Sequence, residues 1–368
     1  MKNNPTSSIL PKGLPAGVGI ALLAAALFGA STPFAKLLLG EISPILLAGL
    51  LYLGSGIGLS LLRLIRRKST FIADEATVSR AQWPWLAGAI FFGGVLGPVL
   101  LLFGLQNTAA STASLLLNLE GVFTALLAWY AFHENFDRRI MLGMAAIIGG
   151  GLILSWQPGA GLAFSSGAIL VAAACACWGI DNNLTQKVSS NDPFQVAAIK
   201  GLTAGCVNLI IALAIGARLP SLSIFAGALV VGFFGYGLSL AFFVIALRHI
   251  GTARTGAYFS IAPFVGAALS FLLLHESAGI LFMAAGGLMA IGVWLHLTER
   301  HEHLHTHERL EHSHRHVHDE HHQHAHPPGI DPREPHTHAH IHEPLTHSHP
   351  HFPDIHHRHR HNTRNNQH

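Results

Sequence analysis

The sequence predicts an all-α membrane protein: ten transmembrane helices as two inverted five-helix repeats, plus a disordered His-rich tail. Three observations predict it. Long apolar runs fill the chain as far as Leu297, and only 11% of all residues are charged, where a soluble domain carries roughly a quarter. The block Leu105–Glu134 recurs, without a gap, as Leu247–Glu276. After Leu297 the composition changes abruptly, and only His133, His249 and His275 of the 28 histidines precede His296. The expected divisions are residues 1–15, an N-terminal cytoplasmic segment; 16–156 and 157–297, the two repeats; and 298–368, the tail.

A membrane helix needs about 20 mostly apolar residues. Ten segments qualify: Ala16–Leu39, Pro44–Ile65, Pro84–Leu105, Ala109–Phe132, Ile140–Trp156, Ser165–Lys187, Pro193–Ala217, Ser221–Leu247, Thr255–Leu274 and Ala278–Leu297. The basic start at Lys2 and Lys12 resembles a signal peptide, but the first apolar run continues to Leu39 and is read as a span. With the N-terminus inside, the cytoplasmic loops hold Arg66, Arg67, Lys68, Arg80, Arg138, Arg139, Lys187, Arg248 and Arg254. The outer loops hold only Arg218, with Lys36 near the outer end of the first span. The positive-inside rule therefore places both termini in the cytoplasm, in the cell (inner) membrane. Trp83, Trp85, Trp129, Trp156 and Trp294 fall near span ends, where amphipathic rings are stable.

In the repeat, His133–Glu134 meets His275–Glu276, and Phe91–Phe92–Gly93 meets Phe233–Phe234–Gly235 in the same register. At a nearby offset Ser43–Pro44 meets Asp192–Pro193. Five spans per copy is an odd number, so the second copy enters the membrane upside down. The charges agree: Arg138 and Arg139 follow the first His–Glu, whereas no Lys or Arg follows the second before Arg300. Inverted repeats supply two related conformations open to opposite sides, which is the architecture of a carrier. The formal charge of +3 gives no nucleic-acid signal. Cys175, Cys177 and Cys206 all lie in apolar runs and are read as small core residues. No hydrolase motif, nucleophile elbow or phosphate loop is present, so the chain is not expected to be an enzyme.

The segment STASLLLNLEGVFTALLAWYAFHEN, Ser111 to Asn135, resembles the EamA repeat of the drug/metabolite transporter superfamily. The second copy, TARTGAYFSIAPFVGAALSFLLLHES, resembles it too, with Pro263 where the first copy has Gly121. The likeness covers nearly all of Ala16 to Leu297. It implies a ten-helix carrier with cytoplasmic termini, often proton-coupled or exchanging, and it does not name the cargo.

Ionisable residues inside a span are costly and default to functional candidates. Glu120 lies about 11 residues into the fourth span, near the midplane. An acid that takes up and releases a proton there is what proton coupling requires; a neutral, hydrogen-bonded structural Glu is the alternative. Ser111, Ser114, Asn118, Gly121 and Ala125 share one face of that helix, suited to lining a cavity or to close packing. Glu120 is about 200° around the helix from Asn118, so the two need not face one site. Asp181, beside Asn182 and Asn183, and Lys200 lie at similar depth on consecutive antiparallel spans, and pairing would lower the cost of burying each. The expected substrate or proton pathway is Glu120, Asn118, Asp181, Asn182 and Lys200. Gly54–Gly58 and Gly201–Gly205 are GxxxG pairs, read as packing within the bundle, with a homodimer as the other use of such a pattern.

The tail alternates histidine with other residues: His301, His303, His305, His307, His312, His314, His316, His318, His321, His322, His324, His326, His336, His338, His340 and His342 are its candidate metal ligands. Neutral imidazole suits Zn, Ni, Co or Cu. With no Cys and no fixed ligand spacing, a flexible multi-site sink is expected, and no cofactor is required. The expected partners are the lipid bilayer, a small-molecule substrate and transition-metal ions. The expected function is secondary export or exchange of small organic metabolites by alternating access. Efflux of divalent metals, with the tail as collector or sensor, is the alternative; the spans lack the midplane ligand pairs that it needs.

Overall fold

The computed structural model describes residues 16–67, 78–132, 138–156, 164–188 and 191–298, with four short segments of the tail. Ten helices run in order: α1 (Ala16–Leu38), α2 (Pro44–Arg67), α3 (Arg80–Gln106), α4 (Ala110–Tyr130), α5 (Arg138–Ser155), α6 (Ser166–Thr185), α7 (Pro193–Ala214), α8 (Leu222–Ala246), α9 (Ala262–Leu274) and α10 (Ile280–Leu297). Among the described residues nine are long and apolar enough to cross a membrane, and α9 is shorter. Proline opens both α2 and α7, where its missing N–H costs no helix bond. Asp192 caps α7 by accepting from the Phe194 amide at 2.9 Å.

Between α8 and α9 the chain differs from expectation. No irregular connection separates the two spans; the backbone stays helical from Ser239 to Phe259. Yet the rings of Phe243 and Phe259 meet at 4.8 Å, whereas a straight helix would hold them roughly 24 Å apart. The chain therefore reverses inside that helical stretch, and the ninth crossing begins before α9 itself.

The repeat is visible in its irregularities. Ile90–Leu96 of α3 and Phe233–Leu238 of α8 are π-helical, and both fall on the repeated Phe–Phe–Gly. Gly97 N accordingly bonds Phe92 O, and Ser239 N bonds Phe234 O, one residue further back than in an α-helix. α4 is interrupted at Leu117–Asn118, and the other copy at Ser260–Ile261. Pro263 opens the second half of that crossing.

With lipid outside, the exposed faces are apolar, including Leu61, Ile65, Tyr130, Leu142, Ile210 and Trp294. Burial of oil-like surface cannot then hold the bundle together; close packing does. Both GxxxG pairs pack within the bundle. A Cβ on Gly201 would stand 2.7 Å from Gly56 N, and one on Gly205 2.6 Å from Leu53 N. Bulkier residues would push α2 and α7 apart.

The turns form two ends. At one, Arg63 pairs with Asp192 at 3.3 Å, and His296 Nε2 and Ile140 O lie 3.1 Å apart. At the other, Glu276 reaches the start of α4. Lys68, His133 and Glu134 lie outside the described residues. So does most of 298–368, including the side chains of all sixteen candidate metal ligands, and with it the expectation of a disordered tail. Its described backbone consists of extended segments that pair antiparallel, 301–306 with 346–351 and 310–316 with 336–342.

Candidate functional site

The expected intramembrane residues divide into two linked groups in one region, with Asn118 set apart. In the first group Lys200 Nζ of α7 donates to both oxygens of Asp181 on α6, at 2.6 and 2.8 Å. Thr185 Oγ1, one turn along α6, donates to Asp181 Oδ1 at 2.8 Å and accepts from Lys200 at 3.2 Å. The Asp181 and Lys200 side chains are only 10% and 17% exposed. Each charge offsets much of the other's desolvation.

The seat of Asp181 is made by the π-turn of α3. A Cβ on Gly93 would overlap the Asp181 carboxylate, so only glycine leaves it room. The wider π-turn also presents the Gly93 carbonyl to two side chains. Tyr52 Oη of α2 donates to it at 2.6 Å and Trp178 Nε1 of α6 at 3.0 Å. Asn208 Nδ2 of α7 donates to the neighbouring Gly94 carbonyl at 3.1 Å, while its own Oδ1 is buried without a partner. Tyr52 continues the site towards the second repeat, its ring lying 5.6 Å from that of Tyr236.

The second group joins α4 to α6. Asn182 Nδ2 donates to Glu120 Oε1 at 2.9 Å and to Thr124 Oγ1 at 3.1 Å. Thr124 Oγ1 donates to Glu120 O at 2.8 Å, and Asn183 Nδ2 to Thr124 O at 3.2 Å. The helix interruption puts Glu120 in the first turn of a new helical segment, Leu119–Phe132, where a helix N-terminus favours an anion. Glu120 is half-buried and Asn182 exposed, so polar groups lie open within the span. Glu120 lies within electrostatic reach of Asp181 and Lys200.

Asn118 is buried in the interruption and bonds the carbonyl of Leu115, on its own helix, at 2.8 Å. Sequence reasoning missed Tyr52, Thr124, Trp178 and Thr185. Thr124 and Thr185 carried a signal, each lying one turn beyond an expected acid. Tyr52 and Trp178 carried none, since their role depends on a carbonyl presented by a π-turn. Among the described residues no group of three or more His, Cys, Asp or Glu is arranged to hold a metal.

Comparison with known proteins places the sequence in a family. The model of the EamA-like transporter family matches residues 15–156 and again 165–298. An uncharacterized transporter of Methanothermobacter thermautotrophicus is 31% identical over 285 residues, 73% of this chain and 82% of that protein. A probable amino-acid metabolite efflux pump of Escherichia coli is 26% identical over 72% of this chain and 90% of that protein. A solved crystal structure, 16% identical, aligns over 76% of this chain and 95% of its own with a TM-score of 0.57, a likeness of fold. Two matches to one repeat model, two π-turns and two helices interrupted within one residue of the same register lead to one conclusion: the chain is a multi-pass membrane protein of the EamA-like transporter family.

Proposed function

We propose that this protein exports or exchanges small organic metabolites by alternating access, with Glu120, Asn182 and the Asp181–Lys200 pair forming the cargo and proton pathway. The observation that carries the reading is the half-open carboxyl of Glu120, held by Asn182 within a duplicated carrier fold. Asp181 and Lys200 answer each other's charge. Glu120 is answered by an amide and a hydroxyl-bearing turn, so a proton or a cargo amine is the natural complement to its negative form. The efflux pump named for amino-acid metabolites supports amine-bearing metabolites as the first cargo class to test. Both termini are placed in the cytoplasm by the loop charges. In this reading the tail's histidines hold transition metals beside the transport cycle rather than within it.

The test is a panel of amino acids and related metabolites, with zinc and nickel as separate cargoes, in proteoliposomes with and without a pH gradient. Glu120→Gln keeps size and hydrogen bonding but carries no proton. It is expected to retain equilibrium exchange and lose gradient-driven accumulation by tenfold or more. Parent-like accumulation by Glu120→Gln would remove Glu120 from the pathway. Accumulation of metals alone would favour the metal carrier.

A further inference from the structure

We propose that Lys36 and Glu276 form a clasp that holds the Glu276 end of the molecule shut and must release before that end opens. Both residues close on the same turn between α3 and α4. Glu276, just beyond α9, accepts from two successive amides at the start of α4: Ala110 N to Oε1 at 2.7 Å and Ser111 N to Oε2 at 2.9 Å. Those amides have no partner within their own helix, so a carboxylate from the other repeat supplies what the helix start lacks. Lys36, in the last turn of α1, donates to the carbonyls at the close of α3: Leu105 O, Gln106 O at 3.3 Å and Thr108 O at 3.0 Å. One turn is thus gripped by an anion on its amides and a cation on its carbonyls. The two side chains also lie within electrostatic reach of each other.

The backbone that aims Glu276 is itself unusual. His275 is the one described non-glycine residue with positive φ, at 52°. For a residue with a Cβ that conformation is uncommon, and surrounding contacts must hold it. Here it ends α9 and turns the next residue back towards α4. Ordinary stabilisation of a helix start needs only a residue from its own chain neighbourhood. This one spans 166 positions and ties the two repeats together. A bond between the repeats is one that alternating motion would have to break. By sequence the repeat places Glu134 opposite Glu276, at the other end of the molecule.

The experiment is pulsed spin-label distance measurement on the full chain in liposomes, needing no knowledge of the cargo. Cys175→Ala, Cys177→Ala and Cys206→Ala remove native thiols, and labels go on Gly40→Cys and Asn107→Cys, two exposed positions flanking the clasp. The parent is expected to give one short distance. Glu276→Ala and Lys36→Met are each expected to add a longer population, at least tenfold above its level in the parent. Glu276→Asp is expected to keep most of the short one. Glu134→Ala, removing the counterpart at the other end, is expected to leave the short distance dominant. Parent-like distances in both Glu276→Ala and Lys36→Met would overturn the clasp. So would a fall in Tm with unchanged distances, because the contacts would then stabilise the fold without gating it. The clasp rests on the proposed alternating access and not on the role of Glu120, so failure of Glu120→Gln to affect coupling would leave these distances as they are.

Discussion

The helix pairs α4·α6 and α1·α9 are the same pair in the two halves of the repeat, and they have been put to opposite uses. Across α4·α6 run Asn182 to Glu120 and Thr124, and Asn183 to Thr124. Both pairs share a close backbone approach, a Cβ on Gly29 standing 3.0 Å from Gly266 N and one on Gly179 3.0 Å from Thr124 N, but Ala262 and Gly266 stand where α4 has Glu120 and Thr124. The neighbouring contacts diverge in the same way. Gly93 of α3 seats the charged Asp181, while Gly235 of α8 abuts Ser31. The repeat has kept the geometry of approach and replaced the chemistry in one half. Its backbone irregularities are matched, so they belong to the architecture. The carboxylates of Glu120 and Asp181 are not matched, so they belong to whatever the α4·α6 side has been specialised to do.

The comparison breaks most visibly at the ion pair. Lys200→Met leaves the Asp181 carboxylate with only Thr185 beside it in a seat built for a paired charge. The expected cost is about 3–5 kcal/mol, the penalty for stranding one member of a buried pair. Adding Asp181→Asn in the same chain is expected to recover most of it. Thermal unfolding in detergent for both singles and the double checks this. Additive losses would mean that the two groups do not act as a pair.

Next in size are the two seats. Gly93→Ala forces Asp181 away from Lys200, and an effect of about 2–3 kcal/mol is expected, at the upper part of the range for overpacking. Gly235→Ala meets the uncharged Ser31 side chain first and is expected to cost about 1–2 kcal/mol by the same mechanism. Unfolding midpoints at matched lipid content give both numbers. Equal losses would show that crowding alone matters and that the charge adds nothing.

The smallest effect is expected outside both halves. Replacing residues after Arg300 with a reporter that is active only in the periplasm is expected to leave the unfolding midpoint within about 0.5 kcal/mol of the parent, as for a surface change. The reporter is expected to stay silent in intact cells. A large destabilisation would make the tail part of the fold, and an active reporter would place the C-terminus outside.

The spans were legible because a membrane demands long apolar stretches, and the repeat because its motif is retained without a gap. The Asp181–Lys200 contact was legible as well, since consecutive antiparallel helices bring equal depths together. Other features depended on neighbours distant in the chain. Asn182 and Glu120 lie on helices separated by α5, and no spacing rule relates them. Glu276 was visible as the closing mark of the repeat, yet its grip on α4 follows from an αL turn at His275 that the sequence does not signal. The reversal before α9 was expected as a loop; the chain there turns while remaining helical, which composition cannot distinguish.

The glycine contact between α2 and α7 has a consequence for energetics. These two helices are each other's counterparts, so the operation that exchanges the repeats carries their interface onto itself. On the proposed alternating access, whatever free energy that interface contributes enters both arrangements of the bundle with the same sign and nearly the same size. A ligand or a substitution that acts equally on two states shifts nothing between them, however strongly it acts. Enlarging the paired positions Gly56 and Gly205 together would therefore lower the melting temperature without favouring either side of the membrane, whereas a bias between the sides has to come from changes that the repeat does not pair.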